Sequence, residues 1–451
     1  MHFTITDIVQ KFKREWTTEL APEAISKLCK ELGLSWRDRL LTPATTVQLM
    51  LLQILHGNTA ISHLPHLAKL KFCPSSFCRA RMRLPLSFLE TLLARLTATL
   101  QKEDFNLHTW LGHRVFIADG TAVSMPDTPE LESHFGYPPN HRKGAAFPVA
   151  RLVFMLHQQS GMIAKLLINR YRSHEAAHIQ ELHPELGTND ILLGDRAFSS
   201  YAHFCLLIQR GAHLLVRMNQ KMIPFFYDET EIPKSTVPSR RRLPEGRKRI
   251  KLLGKSDHIV CWKRPSSASK GWDRKKYLTL PDSIIVRELL YQVTQDGFRS
   301  TAITVITTLT DVEKYSAEKI AELYGLRWEI ETNFNHLKTT LRMDILTTKT
   351  VDGIKRELLA FAILYNLVRL IMIQAAQNQN VPVNRISFID ALRFLASASP
   401  EDDLPPLVIV PKRPGRFEPR SRKRRPKPGY PCMMLTRQEL RKKKLSQCVT
   451  A

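Results

Sequence analysis

Apolar residues recur every three or four positions in ELAPEAISKLCKELGL, PATTVQLMLLQILHG and SFLETLLARLTATLQ, and Pro or Gly separates these stretches. That period predicts helices over most of residues 1–108. From residue 113 the pattern changes to short, dense apolar runs. HRVFIADGTAV predicts a strand ending at Asp119-Gly120, and PVARLVFMLHQQ and GMIAKLLINRY predict two more across a turn containing Gly161. SHEAAHIQELHPEL predicts a helix. NDILLGDRAFSSYAHFCLLIQRG predicts a fourth strand running into a helix, with Asp195 where that strand ends. Three strands, a helix and a further strand indicate an α/β chain.

Residues 218–298 lose helical periodicity and are rich in β-branched and basic residues, as in DHIVCWKRP and DSIIVRELLYQV. They predict a small antiparallel insertion of short strands. TAITVITTL (301–309) returns to the sheet as a fifth strand, and RELLAFAILYNLVRLIMIQAA predicts a final buried helix. The chain then divides into a helical N-terminal DNA-binding domain (1–108), a core in two parts (109–217 and 299–400), the insertion (218–298) and a tail (401–451).

Charge narrows the function. Lys and Arg number 67 against 42 Asp and Glu, a net +25, which points to a polyanion and most simply to nucleic acid. No apolar run approaches the ~20 residues that span a bilayer, and the N-terminus has no secretory h-region. A cytoplasmic, nucleoid-associated protein follows. The seven scattered cysteines predict reduced thiols. Cys73 and Cys78 lie near His63 and His66, which admits zinc, although packed thiols are the plainer reading.

The excess charge is clustered. In CPSSFCRARMRLP, Arg79, Arg81 and Arg83 fit the second helix of a helix-turn-helix capped by Ser75 or Ser76, or a basic helix on a small bundle. Segment 240–255 holds Arg240, Arg241 and Arg242 among eight basic residues with Glu245 the only acid. Lys412 to Lys444 carries fourteen basic residues against Glu418 and Glu439. Its prolines predict a disordered arm that binds phosphates without reading sequence.

Chemistry gathers on three carboxylates. Asp119 ends the first strand, Asp195 the fourth, and Glu331 lies in AELYGLRWEIETNFNHLKTTLRM. If that stretch is helical, Arg327, Glu331 and Lys338 share one stripe. This suits a site holding metal and phosphodiester together, and equally suits a surface helix with an i,i+4 Arg–Glu pair. Neighbouring first and fourth strands would set Asp119 beside Asp195, with Glu331 facing them. Three clustered carboxylates repel one another without cations. Two Mg²⁺ ions ~3.5–4 Å apart would satisfy them and serve in-line attack on a phosphodiester.

The order DGTAVSMPD, LLGDRAFSSY, YGLRWEIETNFNHLK resembles the DDE transposases of the IS4 type, over roughly residues 75–375. The family motif Tyr-x2-Arg-x3-Glu-x6-Lys is met by Tyr324, Arg327, Glu331 and Lys338. The resemblance implies an RNase H-like mixed sheet as catalytic core, interrupted by a β-strand insertion. It implies Asp119, Asp195 and Glu331 as a metal-binding catalytic triad with two Mg²⁺, Mn²⁺ able to substitute. It implies Tyr324, Arg327 and Lys338 at DNA near the transposon end. Terminal inverted repeats and target DNA are then the partners of a homodimer in cut-and-paste transposition. Relatives that excise through a hairpin carry a tryptophan before the last strand, where this chain reads QDGFRSTAIT with Phe298. Trp262 and Trp272 lie earlier, either as stacking platforms or as buried residues, and Trp328 reads as helix core. A structure-specific nuclease on the same triad, or a non-catalytic DNA-binding repressor, are the competing functions.

Overall fold

A computed structural model of the chain describes residues 19–37, 39–98, 109–138, 146–171, 178–219, 246–268, 272–293, 301–397 and 403–410, together with 438, 439 and 442. Among the described residues the first five α-helices are α1 (Pro22–Glu31), α2 (Pro43–Leu55), α3 (Leu64–Ala68), α4 (Pro74–Arg83) and α5 (Leu86–Ala98). Thr42 starts α2, its hydroxyl accepting the Thr45 amide ahead of Pro43. α4 departs from expectation. Its cap residue is Cys73 with no side-chain cap bond, and Pro74 opens the helix in place of a capping serine.

Nine strands form one sheet in the order β3-β2-β1-β4-β5-β9-β8-β7-β6. They are β1 (Val115–Ser124), β2 (Val149–His157), β3 (Ile163–Arg170), β4 (Ile191–Gly194), β5 (His213–Arg217), β6 (Arg247–Gly254), β7 (Asp257–Lys263), β8 (Ser283–Val293) and β9 (Thr301–Thr307). β1, β4 and β5 run parallel, while β2 and β3 pair antiparallel beside β1. All four residues of β4 are buried, as expected of a parallel strand covered on both faces.

Two expectations about this region need correction. The fifth strand of the core is HLLVR (β5), reached directly from helix α7 (Tyr201–Gln209). TAITVITTL forms β9 instead, antiparallel to β5. The insertion is antiparallel, as its pattern predicts, but it does not stand apart. β8 is eleven residues long and pairs with β9 and β7, so the insertion continues the main sheet. The described part of SHEAAHIQELHPEL is a 3₁₀ helix, Ile179–Glu185, with Pro184 inside it. Proline removes an amide and crowds the preceding turn, which disfavours a regular α-helix there.

Beyond the sheet come α9 (Ala317–Gly325), α10 (Glu329–Asn335), α11 (Val351–Asn378) and α12 (Phe388–Ser397), with short helices α6 (Pro129–Phe135) and α8 (Arg274–Leu278) earlier in the chain. α11 is long and apolar enough by composition to cross a membrane, contrary to the sequence reading, yet 94% of its most apolar window is buried within the protein. It packs against α2, α5, α12 and β3, so the N-terminal helices share a core with the sheet.

The buried polar groups of α11 all find backbone partners. Asn366 accepts from the Ile163 amide (2.8 Å) and donates to its carbonyl (2.9 Å). The Tyr365 hydroxyl donates to Gly161 O and Arg369 Nε to Ser160 O, at 3.1 and 2.7 Å. Gly161 has φ +68, and a Cβ there would run into the Arg369 guanidinium. Glu357 accepts the amides and hydroxyls of Thr347 and Thr348 and the Asn58 side-chain amide. It thus ties α11 to the loop before it and to the turn after α2. Glu357→Ala orphans these donors, and should cost about 3 kcal/mol. The measurement is the denaturant midpoint, with Glu357→Gln recovering part of the loss. A midpoint like that of wild type would show that the tie is slack.

Candidate active site

The sheet register builds the site. Ala118 of β1 pairs with Gly194 of β4, so Asp119 and Asp195 follow at the same level on two adjacent parallel strands. Asp195 comes just past the end of β4, but Asp119 does not end β1 as expected, because pairing with β2 carries that strand on to Ser124. Ile117 and Leu193, two positions back, belong to the core beneath α11, whereas Ala118 and Leu192 belong to the opposite core beneath α7. Strand alternation, which the extended φ and ψ of Asp195 continue, directs both carboxylates to the α11 side. The polypeptide needs only two apolar runs, each ending in aspartate, to bring them together.

Asp119 is half-buried and doubly engaged. Its Oδ1 accepts the Gly120 amide at 2.7 Å, and its Oδ2 lies 3.3 Å from Arg327 Nη1. Of the two readings of this stretch, the Arg327–Glu331 surface pair gives way to a contact with the sheet. Arg327 is 6% exposed, so its charge would be costly without that carboxylate.

The stretch carrying the motif is not one regular helix. α9 ends at Gly325, a 3₁₀ turn spans Leu326–Trp328, α10 follows, and residues His336–Thr340 form a π-helical turn. The tight turn directs Arg327 inward and Trp328 outward, and the wide turn resets the phase before Lys338. Lys338 Nζ donates to Ala122 O of β1 at 2.9 Å. Tyr324 is fully buried, its hydroxyl 3.4 Å from Gly194 O, and burial holds its phenol well above the usual range. Trp328 is 51% exposed beneath the Arg327 guanidinium, which lies 4.9 Å from its ring. The reading of Trp328 as helix core is thereby corrected.

Glu331 sits on the exposed side of α10, and α10 packs against β1. Among the described residues no three His, Cys, Asp or Glu side chains stand close enough to hold a metal ion. The structure thus joins Asp119 to Asp195, and leaves Glu331 facing solvent near them.

Of the other residues singled out, Arg79 and Arg83 are exposed on α4, and Arg81 lies over the Phe77 ring. Cys73 is exposed and Cys78 half-buried, so neither is a packed thiol. Arg240, Arg241, Arg242, Phe298 and, apart from Gln438, Glu439 and Lys442, the basic tail lie outside the described residues. Trp262 is buried, donates to Glu288 Oε1 at 2.9 Å and carries the Arg247 guanidinium over its ring. Trp272 packs edge-on against His203. Sequence reasoning missed Arg217, which ends β5 beside Asp195, because the strand carrying it was not foreseen.

The family described as transposase DDE domain matches residues 110–367, more than half of the chain. The transposase InsG for insertion sequence element IS4 of Escherichia coli (strain K12) is 26% identical over 372 residues, covering 78% of this chain and 77% of that protein. The probable transposase for insertion sequence element IS5377 of Geobacillus stearothermophilus is 33% identical over 97 residues, 22% of this chain and 25% of that one. Among solved structures, a piggyBac transposase synaptic complex with hairpin DNA aligns with a TM-score of 0.41 at 11% identity, over 84% of this chain and 78% of that one. The matched segment contains both aspartates and the whole Tyr-Arg-Glu-Lys motif, and the chain belongs to the DDE transposases of the IS4 type.

The opposite placements of two neighbouring aromatics can be checked directly. Tyr324→Ala empties a buried site and should cost ~3–5 kcal/mol, the range for large aromatic truncations. Trp328→Ala should stay within about 1 kcal/mol, as for most surface changes. Denaturant midpoints of the two variants decide, and the reverse order would contradict the observed turn.

Proposed function

We propose that this transposase cuts DNA at its element's ends and joins the freed 3′-hydroxyl to target DNA, with Asp119, Asp195 and Glu331 as the catalytic carboxylates. The observation that carries the reading is the placement of Asp119, inside β1, beside Asp195, just past the end of the parallel strand β4, with both facing the motif helices. The order β3-β2-β1-β4-β5, with its antiparallel and parallel pairings, supports an RNase H-like core.

The donor set fits a hard divalent cation, since all three groups offer carboxylate oxygen. Arg327 supports this by standing in for the ion. It sets positive charge at Asp119 Oδ2, and at 3.3 Å the contact is longer than the ~2.7–2.9 Å of a strong charge-assisted bond. Asp119, Asp195 and Glu331 would hold two Mg²⁺ or Mn²⁺ ions, which when bound supply activation of the attacking hydroxyl and neutralise the leaving oxygen.

The remaining residues bind and orient. Arg327 and Lys338, cations that cannot ligate Mg²⁺, take scissile-strand phosphates. Tyr324 is closed off from solvent here, so it contributes by bracing Gly194 and hence Asp195. Arg79, Arg81 and Arg83, with Arg240, Arg241, Arg242 and the tail, neutralise backbone phosphates along the terminal repeat and target. Two copies act together on paired ends. Trp262 is committed to Glu288, which leaves a hairpin step without that platform.

Alanine at Asp119, Asp195 or Glu331 should abolish cleavage of labelled end duplex in Mg²⁺ while leaving binding near wild type, because affinity rests on many phosphates. Substantial cutting by any one variant removes that residue from the triad. Deleting the chain after Pro411 should weaken binding to every duplex alike. It should also reduce the salt slope by ~0.9 per lost phosphate contact, read from binding at several salt concentrations. An unchanged slope would assign the tail another role.

A further inference from the structure

The carboxylate row continues one strand further. Gly194 pairs with Val216 of β5, so Arg217 follows Val216 as Asp195 follows Gly194 and Asp119 follows Ala118. Leu215, two residues back, lies in the core beneath α11, and alternation turns Arg217 to that same face. Beyond β5, Val305 of β9 sits opposite Arg217 and pairs in turn with Leu289 of β8. Tyr291 is the next residue of β8 on Leu289's face, and it packs against the same core. Two strand spacings separate β5 from β8, ~10 Å, a span that an arginine and a tyrosine close from either side.

Among the described residues no hydrogen bond or ion pair engages the Arg217 guanidinium or the Tyr291 hydroxyl. Both are only partly exposed. Burial pushes the Tyr291 phenol up to about 12 against the pull of Arg217 and Arg327, so it remains a proton donor at neutral pH. Arg327 already has its counter-charge in Asp119. Arg217 is left as a surplus cation with a phenol donor near it, beside a row of carboxylates that must receive a polyanion.

We propose that Arg217 and Tyr291 form a second phosphate-binding subsite, which takes a backbone phosphate flanking the scissile one on the cut strand. The proposal rests on the reading of Asp119 and Asp195 as the cleavage centre. A guanidinium can bind both non-bridging oxygens of such a phosphate while the phenol donates a further hydrogen bond to one of them, and the pair together would fix the strand's path across β4. Both are positioning groups that hold substrate without entering the bond-making step.

The test uses the full-length protein and a duplex of the terminal repeat found beside its gene, with single neutral methylphosphonates placed at each phosphate flanking the cut. Wild type should cut ~10–100-fold more slowly at one flanking position, the loss expected for a charged hydrogen bond. Arg217→Gln should show that loss on unmodified DNA and no further loss at that position. Arg217→Lys should recover part, and Tyr291→Phe should lose ~5-fold, about the worth of one hydrogen bond. A merely structural role would leave the two losses multiplying. Wild-type rates for Arg217→Gln, or full multiplication in that variant, overturn the subsite alone. Failure of wild type to cut the unmodified duplex overturns the cleavage reading, and the subsite with it.

Discussion

Apolar contact has no direction, so burying a helix on nearly every side does not by itself set its depth or rotation. In this protein α11 is fixed by the polar groups it carries inside. Asn366 brackets the backbone of Ile163, Tyr365 and Arg369 close on the β2–β3 turn, and Glu357 gathers donors from two loops. Each of these bonds has one acceptable register, because a slip of one residue would strand a polar group in a dry core. The helix thereby holds the N-terminal helices, the sheet and the loop that follows the motif in one frame. Every distance at the carboxylate row depends on that frame.

The insertion is bound to the same frame by charge. Arg287 of β8 is fully buried, pairs with Asp257 of β7 and donates to Tyr315 O in the loop entering α9. Arg247 and Glu288 form a second buried pair beside Trp262. Removing one member of such a pair leaves an uncompensated charge, at a cost of ~3–5 kcal/mol. These pairs specify which strands meet, and they couple the insertion to the chain that delivers Tyr324 and Arg327.

Much of this was legible in the sequence for physical reasons. Asp119 and Asp195 each follow a run too apolar to lie anywhere but inside, so the strand end at Asp195 could be read directly, whereas β1 continues past Asp119 because β2 pairs with it as far as Ser124. The helices α2, α5 and α11 announced themselves by period. β5 did not, since five residues whose apolar members, Leu214, Leu215 and Val216, are consecutive carry no alternation to detect. The turns around the motif were equally silent. Side-chain pattern records which residues are apolar, whereas the change from 3₁₀ to α to π pitch is written in backbone bonds. For that reason the partner of Arg327 and the exposure of Trp328 were out of reach, and so was Tyr291, whose importance depends on a strand two places away.

The continuity of the nine-stranded sheet has a geometric consequence. Neighbouring strands rotate by ~20–25° relative to one another, and five steps separate β4 from β6. At that average rotation the sheet surface that faces the motif helices at Asp195 would turn through ~100–125° by its far edge. Lys248 and Lys251 on β6 thus look in another direction from Asp119. A straight duplex cannot lie flat on both surfaces. A strand seated at the carboxylates leaves the edge of the insertion pointing outward, like the raised blade of a propeller.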